Sequence, residues 1–491
     1  MNVFKNFLYN AGYQLLIIVV PFILSPYVSR VIGPEGVGTY SYTYSITALT
    51  ALFANLGVLK YGNREIAGCR DNREKCSRIF AELMSMKIAC GIVVVTCFLL
   101  YIRFFAGKYR TAFFMQIPVI LSYVADVSWV FWGMQEFRKT ALVSSAVKLL
   151  SVVFVFVFVR TGNDTEIYIL ILASSMLLVQ LILWAFLPRY IDIRLSLRFL
   201  ANRHWKSMVL LFFPVLARYL YITMDKIMIG RMVGITEVGY YENVQSITTT
   251  LVHVLTALGD VIMPQMTLYF GQKKKEEAER LFAAAFHLST FLAVGMMFGL
   301  IGVADSFVPW FYGEKFTASV PLLMTVAPLV LLTGYSDLIR NVFLLPQYKD
   351  REYMIALAAG AGANFLINFA LIPRMKSTGA VIGTLAAEFL VLAIQTVFVQ
   401  REFRVIRYLR KTVVYCILGA LILIPCRGIR EITENLTARV ILDVAAGGLL
   451  YSGCVFLYLR QFEKTVFATI SSQMLRMIPC RKGRDGRKDD R

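Results

Sequence analysis

Apolar residues fall in fourteen runs, at about 9–30, 38–59, 79–102, 112–135, 140–159, 166–187, 208–230, 238–262, 281–304, 318–345, 353–373, 378–400, 412–427 and 438–459. Most approach the ~20 residues with which a helix crosses the hydrocarbon of a bilayer. The pattern predicts an all-α polytopic membrane protein. Pro21, Pro26, Pro214, Pro321 and Pro328 lie inside the runs, where neighbouring helices can satisfy the backbone groups they free. The first run is preceded only by Lys5 and has no convincing small-residue cleavage site. It reads as a retained helix, not a signal peptide. The outer loops look too short for a soluble domain.

Composition agrees with this pattern. Of 491 residues, 58% are hydrophobic and 17% charged, with mean hydropathy +0.63, whereas soluble domains average about 25% charged. The formal charge of +20 suggests nucleic acid only until it is placed along the chain. With the N-terminus taken as cytoplasmic, inner segments hold 34 Lys and Arg and outer loops 11. The positive-inside rule then puts both termini in the cytoplasm. The 188–207 loop is either a surface-lying amphipathic helix or a plain basic connector, and the tail at 461–491 is basic. The eight cysteines form no CxxC pair, and the three histidines lie far apart. Neither a disulfide framework nor a metal site is expected.

A repeat divides the chain. Shifted by 201 residues, RVIGPEGVGTYSYTYSI (30–46) overlies RMVGITEVGYYENVQSI (231–247), identical at seven of 17 positions. The pairs include Arg30/Arg231, Gly33/Gly234, Gly38/Gly239 and Tyr40/Tyr241. The shift lays span 1 on span 7. An even separation keeps the direction of crossing, so the halves are parallel repeats. The expected domains are an N-lobe (1–187, spans 1–6), a linker (188–207), a C-lobe (208–400, spans 7–12), two further helices (401–460) and the tail. The glycines suit a tight turn or close backbone approach. Arg30 and Arg231 are expected to anchor helix ends at the outer interface.

Five segments resemble the Wzx-type oligosaccharide flippases, the polysaccharide biosynthesis proteins of the multidrug/oligosaccharidyl-lipid/polysaccharide exporter superfamily. They are PYVSRVIGPEGVGTYSY (26–42), NLGVLKYGNREIA (55–67), ADVSWVFWGMQEF (125–137), DKIMIGRMVGITEVGYYENV (225–244) and NFLINFALIPRMKSTGAVIGTLAAE (364–388). The resemblance implies a two-lobed, twelve-helix core like that of multidrug exporters, plus two C-terminal helices. It implies a bacterial cytoplasmic membrane location and a polyprenyl-diphosphate-linked oligosaccharide turned from inner to outer leaflet. Membrane lipid and other polysaccharide-assembly membrane proteins are the implied partners.

Charges within spans are costly and mark function or internal pairing. A lipid diphosphate calls for fixed cations, and the planar Arg fork suits phosphate oxygens. Arg218 is the first candidate for substrate contact, followed by Lys148 and Arg340. The bland alternative is that they pair with Asp126, Asp337 or Glu388. Asp225 lies two turns beyond Arg218, while Lys226 is rotated about 100° from it. At least one of Asp225 and Lys226 is expected to be structural. Asp126, Asp225, Lys226, Asp337 and Glu388 are candidates for ion coupling or charge pairing. Asn10, Gln14, Gln180, Gln245, Asn364, Asn368, Trp129 and Trp132 suit sugar contact or helix bridging. No P-loop motif occurs, and no cofactor is expected. Two other readings stay open, a small-molecule exporter of the same superfamily and a membrane-embedded polymerase or acyltransferase. The latter finds no His/Asp/Ser grouping with usable spacing.

Overall fold

The computed structural model describes residues 3–193, 204–400 and 402–463, with side chains of the first helix described at Leu16 and from Val19 onward. Residues 194–203 of the stretch expected as a surface helix or plain connector, nearly all of the basic tail, and the side chains of Asn10 and Gln14 lie outside what is described. The described elements are helices: α1 Val3–Asn55, α2 Val58–Ala67, α3 Arg73–Phe104, α4 Arg110–Met115, α5 Ile117–Val124, α6 Ser128–Gly133, α7 Phe137–Phe158, α8 Thr165–Phe186, α9 Trp205–Met232, α10 Ile235–Gly271, α11 Lys275–Tyr312, α12 Val320–Val326, α13 Pro328–Ile339, α14 Asp350–Val399, α15 Val405–Ala420, α16 Leu423–Ile432 and α17 Leu436–Phe462. A π-helical turn, Arg340–Leu344, follows α13.

Eleven helical stretches are long and apolar enough to cross a membrane, and the bent pair Gly107–Met115 with Ile117–Gly133 makes twelve. Two stretches, Val19–Ala67 and Asp350–Val399, run to 49 and 50 residues, about 75 Å if straight. Both fold back. In α14 the reversal is at Lys376 (φ +54), and Asn364 Nδ2 lies 3.3 Å from Thr384 Oγ1. In α1 it is at Gly33, φ +68, a left-handed value that favours glycine. Ser29 and Ser41, about 18 Å apart along a straight helix, hydrogen-bond the adjacent residues Asn243 and Glu242. Counting each hairpin as two crossings raises twelve to fourteen.

The chain forms two compact units. The first comprises Met1–Thr250, Phe307–Val326 and Leu357–Ala387, the second Leu251–Ser306, Ala327–Ala356 and Glu388–Arg491. The boundaries fall inside α10, α11 and α14 rather than at the linker.

Within the first unit the two repeat segments meet reciprocally. A Cβ on Gly38 would lie 1.9 Å from the Ile235 carbonyl oxygen, and one on Gly239 would lie 2.0 Å from that of Pro34. Pro34 and Ile235 are themselves related by the 201-residue shift. Ser41 donates to Glu242, its own counterpart. Asn243 Nδ2 donates to Ser29 Oγ at 2.9 Å, and the mirrored pair sets Gly230 against the Tyr42 ring. Counterpart touching counterpart defines a local two-fold relation between the hairpins. Gly234, like Gly33, is a positive-φ turn, at φ +147. Arg30 donates to the Trp310 carbonyl, and Arg231 is exposed.

Elsewhere in the first unit, Cys69 and Cys76 form a disulfide across the turn between α2 and α3. No disulfide framework is expected from the sequence, and this single local bond is not foreseen by it. Cys76 lies seven positions after Cys69, and Asn72 caps α3, accepting from Lys75 N at 2.9 Å, so that the tight reversal returns Cys76 to Cys69. The second unit packs around Phe282, Phe286, Tyr335, Phe343 and Phe403. Tyr335 bridges Thr290 (2.9 Å) and Thr412 (2.6 Å). A smaller cluster of Val294, Tyr415, Tyr451 and Val455 holds α15–α17.

Candidate functional site

The irregular backbone of the first unit points to a cavity beside it. Span 4 breaks between α5 and α6 at residues 125–127, which leaves polar backbone groups without helical partners. Side chains satisfy them. Lys87 Nζ donates to the Asp126 carbonyl (2.7 Å), Trp129 Nε1 to the same oxygen (3.1 Å) and Trp184 Nε1 to the Ala125 carbonyl (2.8 Å). Gln180 Oε1 accepts from Val127 N at 3.3 Å. The Asp126 carboxylate accepts from Ser128 N (2.9 Å) and Ser128 Oγ (2.6 Å). Broken helices inside membranes persist where they are buried in protein or line a cavity. Here the break borders a space of about 650 Å³.

That cavity is lined by Tyr40, Asn55, Tyr123, Asp126, Trp132, Lys148 and Gln180, among others, with several serines. On α7, Ser144, Lys148 and Ser151 recur at intervals of four and three, so one helical face carries a cation between two hydroxyls. Lys148 is half-buried and forms no ion pair among the described residues. Asn55 is 8% exposed, and its Oδ1 has no hydrogen-bond partner. A second hollow of about 320 Å³, lined by Ser25, Ser29, Glu242 and Asn243, shares Tyr40, Lys148, Ser151 and Leu172 with the first. Tyr40 is held by stacking on Tyr44 (5.6 Å) and by an edge contact with Tyr168 (5.1 Å). The ensemble offers hydroxyls, amides, aromatic faces, the carboxylates of Asp126 and Glu242, and an ammonium in no ion pair among the described residues. Such a set suits a hydroxyl-rich ligand whose anionic group meets Lys148.

Other predicted charges are engaged differently. Asp225 is 2% exposed and closed in by donors. Its carboxylate lies 2.5 Å from Tyr241 Oη, 2.6 Å from Asn368 Nδ2 and 2.8 Å from Thr384 Oγ1. Asn364 and Asn368 thus bridge helices. Lys226 Nζ lies 2.6 Å from Glu242, which also accepts from Ser41. Arg218 is exposed on α9, in no ion pair among the described residues and outside the lining of the cavity around Lys148. In the second unit Arg340 Nη1 pairs with Asp337 Oδ1 at 2.8 Å, and Arg340 Nε bonds Asn341 Oδ1 at 3.0 Å. Asp337 also accepts from Thr256 (2.6 Å), and Asn341 donates to Asp260 (2.8 Å). Glu388 is buried and has an interaction partner.

The three favoured cations therefore have unlike surroundings. Lys148 stands in a polar cavity, Arg218 is exposed, and Arg340 is neutralised by a neighbour one turn away. Sequence reasoning passed over Lys87, although it interrupts the apolar run at 79–102 and is 1% exposed. The criterion of charge inside a span was sufficient to find it. Asn55, Tyr40 and Tyr123 carry no such signal, because only the fold gathers them. Trp129 is fully buried beside Asp126, while Trp132 faces the cavity. Among the described residues, no group of three or more His, Cys, Asp or Glu could hold a metal.

Known proteins share this sequence and fold. A protein of Escherichia coli (strain K12) named as a candidate O-antigen transporter is 26% identical over 414 residues, covering 81% of this chain and 97% of its own. The probable low-salt glycan biosynthesis flippase Agl15 of Haloferax volcanii is 22% identical over 483 residues, covering 96% and 97%. Among solved structures, the lipid II flippase MurJ in an inward closed conformation superposes with TM-score 0.72 at 12% identity, covering 92% of this chain and 99% of its own. An inward-facing multidrug transporter of the MOP superfamily gives TM-score 0.60 at 13% identity, covering 81% and 96%. At such identities the structural likeness establishes the fold. The family model described as polysaccharide biosynthesis protein matches residues 3–270, more than half of the chain. This multi-pass helical membrane protein belongs to the polysaccharide biosynthesis protein family.

Proposed function

We propose that the chain is a Wzx-type flippase that moves a polyprenyl-diphosphate-linked oligosaccharide from the inner to the outer leaflet, for assembly of a cell-surface polysaccharide. It does so by alternating access of two lobes, 1–187 and 208–400, in the bacterial cytoplasmic membrane with both termini inside. It is a transporter rather than an enzyme. The named relatives are assigned to O-antigen transport and glycan biosynthesis, which supports the substrate class.

One observation carries the site assignment. Lys148 is an ammonium in no ion pair among the described residues, in a cavity of hydroxyl, amide, aromatic and carboxylate groups. A diphosphate supplies the missing anion and a glycan the missing hydroxyls. Arg218 follows as a second cation along the path, since an exposed Arg within a span is costly unless it meets water or an anion. Arg340 is the weakest of the three, because Asp337 already offsets its charge. Asp126, which lines the cavity, and Glu388 are the candidates for ion coupling, while Asp225 is engaged by three donors. An inside-negative potential itself favours outward movement of an anion, by about 2.3 kcal/mol per charge per 100 mV.

The test is complementation of a flippase-deficient strain, with accumulation of the lipid-linked glycan measured. Wild-type protein should relieve accumulation, Lys148→Ala should not, and Lys148→Arg should retain part of the activity. Loss of a charge-assisted contact corresponds to roughly 10- to 100-fold. Full activity of Lys148→Ala removes Lys148 from the site.

A further inference from the structure

The cavity around Lys148 does not end in polar residues. It joins an apolar groove of about 390 Å³ between α7 and α8. Val147, Ser151 and Ser175 line both spaces. The groove's walls include Leu150, Phe154 and Leu178, which are 41%, 42% and 37% exposed and so open to the surroundings of the helix pair. Its floor is hollow for a local reason. Ser151 Oγ donates to the Lys148 carbonyl and Ser175 Oγ to the Leu172 carbonyl, each at 2.7 Å. Both hydroxyls are turned onto their own helices, leaving small, polar-satisfied positions between long apolar side chains.

The order of surfaces along this path is specific. A hydroxyl- and amide-rich chamber, containing the buried and unpartnered Asn55 Oδ1, comes first. Lys148 lines that chamber, and Ser151, one turn further along α7, lines both chamber and groove. The apolar seam follows. A ligand matching that order has a polar hydroxylated end, an anionic middle and a long hydrocarbon end. An ordinary phospholipid lacks the large hydroxylated end that the chamber accommodates.

We propose that the α7–α8 groove is a lateral portal that seats the polyprenyl chain of the transported lipid while its diphosphate lies at Lys148. This inference rests on the flippase reading and adds the route by which the chain stays in the bilayer. It also names a determinant of chain recognition, the bore set by Ser151, Ser174 and Ser175.

Two measurements test it on the full-length protein in proteoliposomes. The first is photocrosslinking from a benzophenone amino acid placed at Leu178, or at Leu449 on α17 as an exposed control, with a labelled long-chain polyprenyl diphosphate sugar. Leu178 should label well above Leu449, and unlabelled substrate should compete. Labelling no stronger than at Leu449, or crosslinks to phospholipid that substrate does not displace, overturns the proposal. The second is Ser174→Phe, which fills the groove at an exposed position that tolerates an apolar ring. It should lower transport of the long-chain lipid on the order of tenfold, the loss expected when a pair of chain methylenes stays unburied. Transport of the geranyl analogue should be nearly unchanged. Equal effects on both chains, or none on either, overturn it. If wild-type protein moves no lipid-linked sugar, the transport reading fails by itself, and the crosslinking still reports on the groove.

Discussion

Tyr40 and Tyr241 hold equivalent places in the two repeats, and their surroundings differ in kind. Tyr241 is 3% exposed and donates to Asp225, whose remaining lone pairs meet Asn368 and Thr384. The donors that close around the Asp225 carboxylate all come from other segments of the same unit. Tyr40 instead packs on Tyr44 and Tyr168 and faces a cavity in which Lys148 and Asn55 Oδ1 lack partners. Symmetric backbones have thus been given opposite polar interiors, one closed around an anion and one open around a cation. A closed set resists change because each donor would lose an acceptor. An open set costs the fold something already and gains most from a ligand.

The sharpest way to break this comparison is to remove the two aspartates in turn. Asp225→Leu orphans the buried Tyr241 hydroxyl, worth about 1–3 kcal/mol. It also takes one acceptor each from Asn368, which keeps Asn364 Oδ1 at 3.1 Å, and from Thr384, which keeps the Ala380 carbonyl at 3.0 Å. A fall of several kcal/mol is expected, read as lost monodisperse protein or a large drop in thermal midpoint in detergent. Asp126→Leu should cost less. Among the described residues its carboxylate accepts hydrogen bonds from Ser128 alone, and the backbone carbonyl that holds Lys87 and Trp129 remains. Equal losses would show that the two halves are not closed and open in the sense argued.

Next in size is the lysine pair. Lys226→Met strips Glu242 of its ammonium at 2.6 Å and leaves it only the Ser41 hydroxyl. Breaking a buried ion pair costs about 3–5 kcal/mol, and the double change with Glu242→Gln should restore much of it. Lys148→Met removes an unpaired charge and should leave the thermal midpoint unchanged or higher while abolishing transport. A Lys148→Met protein as destabilised as Lys226→Met would mean that Lys148 has a structural partner.

How much of this was legible beforehand differs between frame and interior. The spans, the 201-residue repeat and its glycine turns follow from local rules. Apolar length dictates crossing, and a backbone at φ +68 dictates glycine. Asp225 and Lys148 were legible as charges in apolar runs, but their opposite environments were not. Asp225 is satisfied by residues 16, 143 and 159 positions away. No window of sequence reports such partners. Gly38 and Gly239 were legible as glycines but not as mutual contacts. The Cys69–Cys76 bond depended on a capped turn rather than on cysteine spacing. The chamber itself is built from spans 2, 4, 5 and 6 at once, and only the folded chain assembles it.

The seam between the repeats offers a smaller effect. Gly38→Ala places a methyl about where the Ile235 carbonyl sits, and Gly239→Ala does the same at Pro34. Overpacking of this kind costs roughly 1–3 kcal/mol. Because the contacts mirror each other, the two single changes should cost alike. The double change should cost less than their sum, since either one already parts the hairpins. Unequal single losses in thermal midpoint would show that the local two-fold relation does not extend to energetics.

The smallest effect separates the two tyrosines with which the comparison began. Tyr241→Phe removes one hydrogen bond to a carboxylate, about 1.5–3 kcal/mol. Asn368 and Thr384 still hold Asp225, so the lower end of that range is expected. Tyr40→Phe keeps the ring that stacks on Tyr44 and Tyr168 and removes a hydroxyl for which no hydrogen bond to a described residue is found. Its thermal midpoint should be nearly that of wild type. Transport is where the order reverses. If the Tyr40 hydroxyl borders the bound glycan, Tyr40→Phe raises the apparent KM for the lipid-linked sugar severalfold with stability intact. Tyr241→Phe then lowers stability with KM unchanged. A Tyr40→Phe protein with wild-type KM would leave the cavity's hydroxyls without a part in recognition, and Lys148 would have to hold the substrate by charge alone.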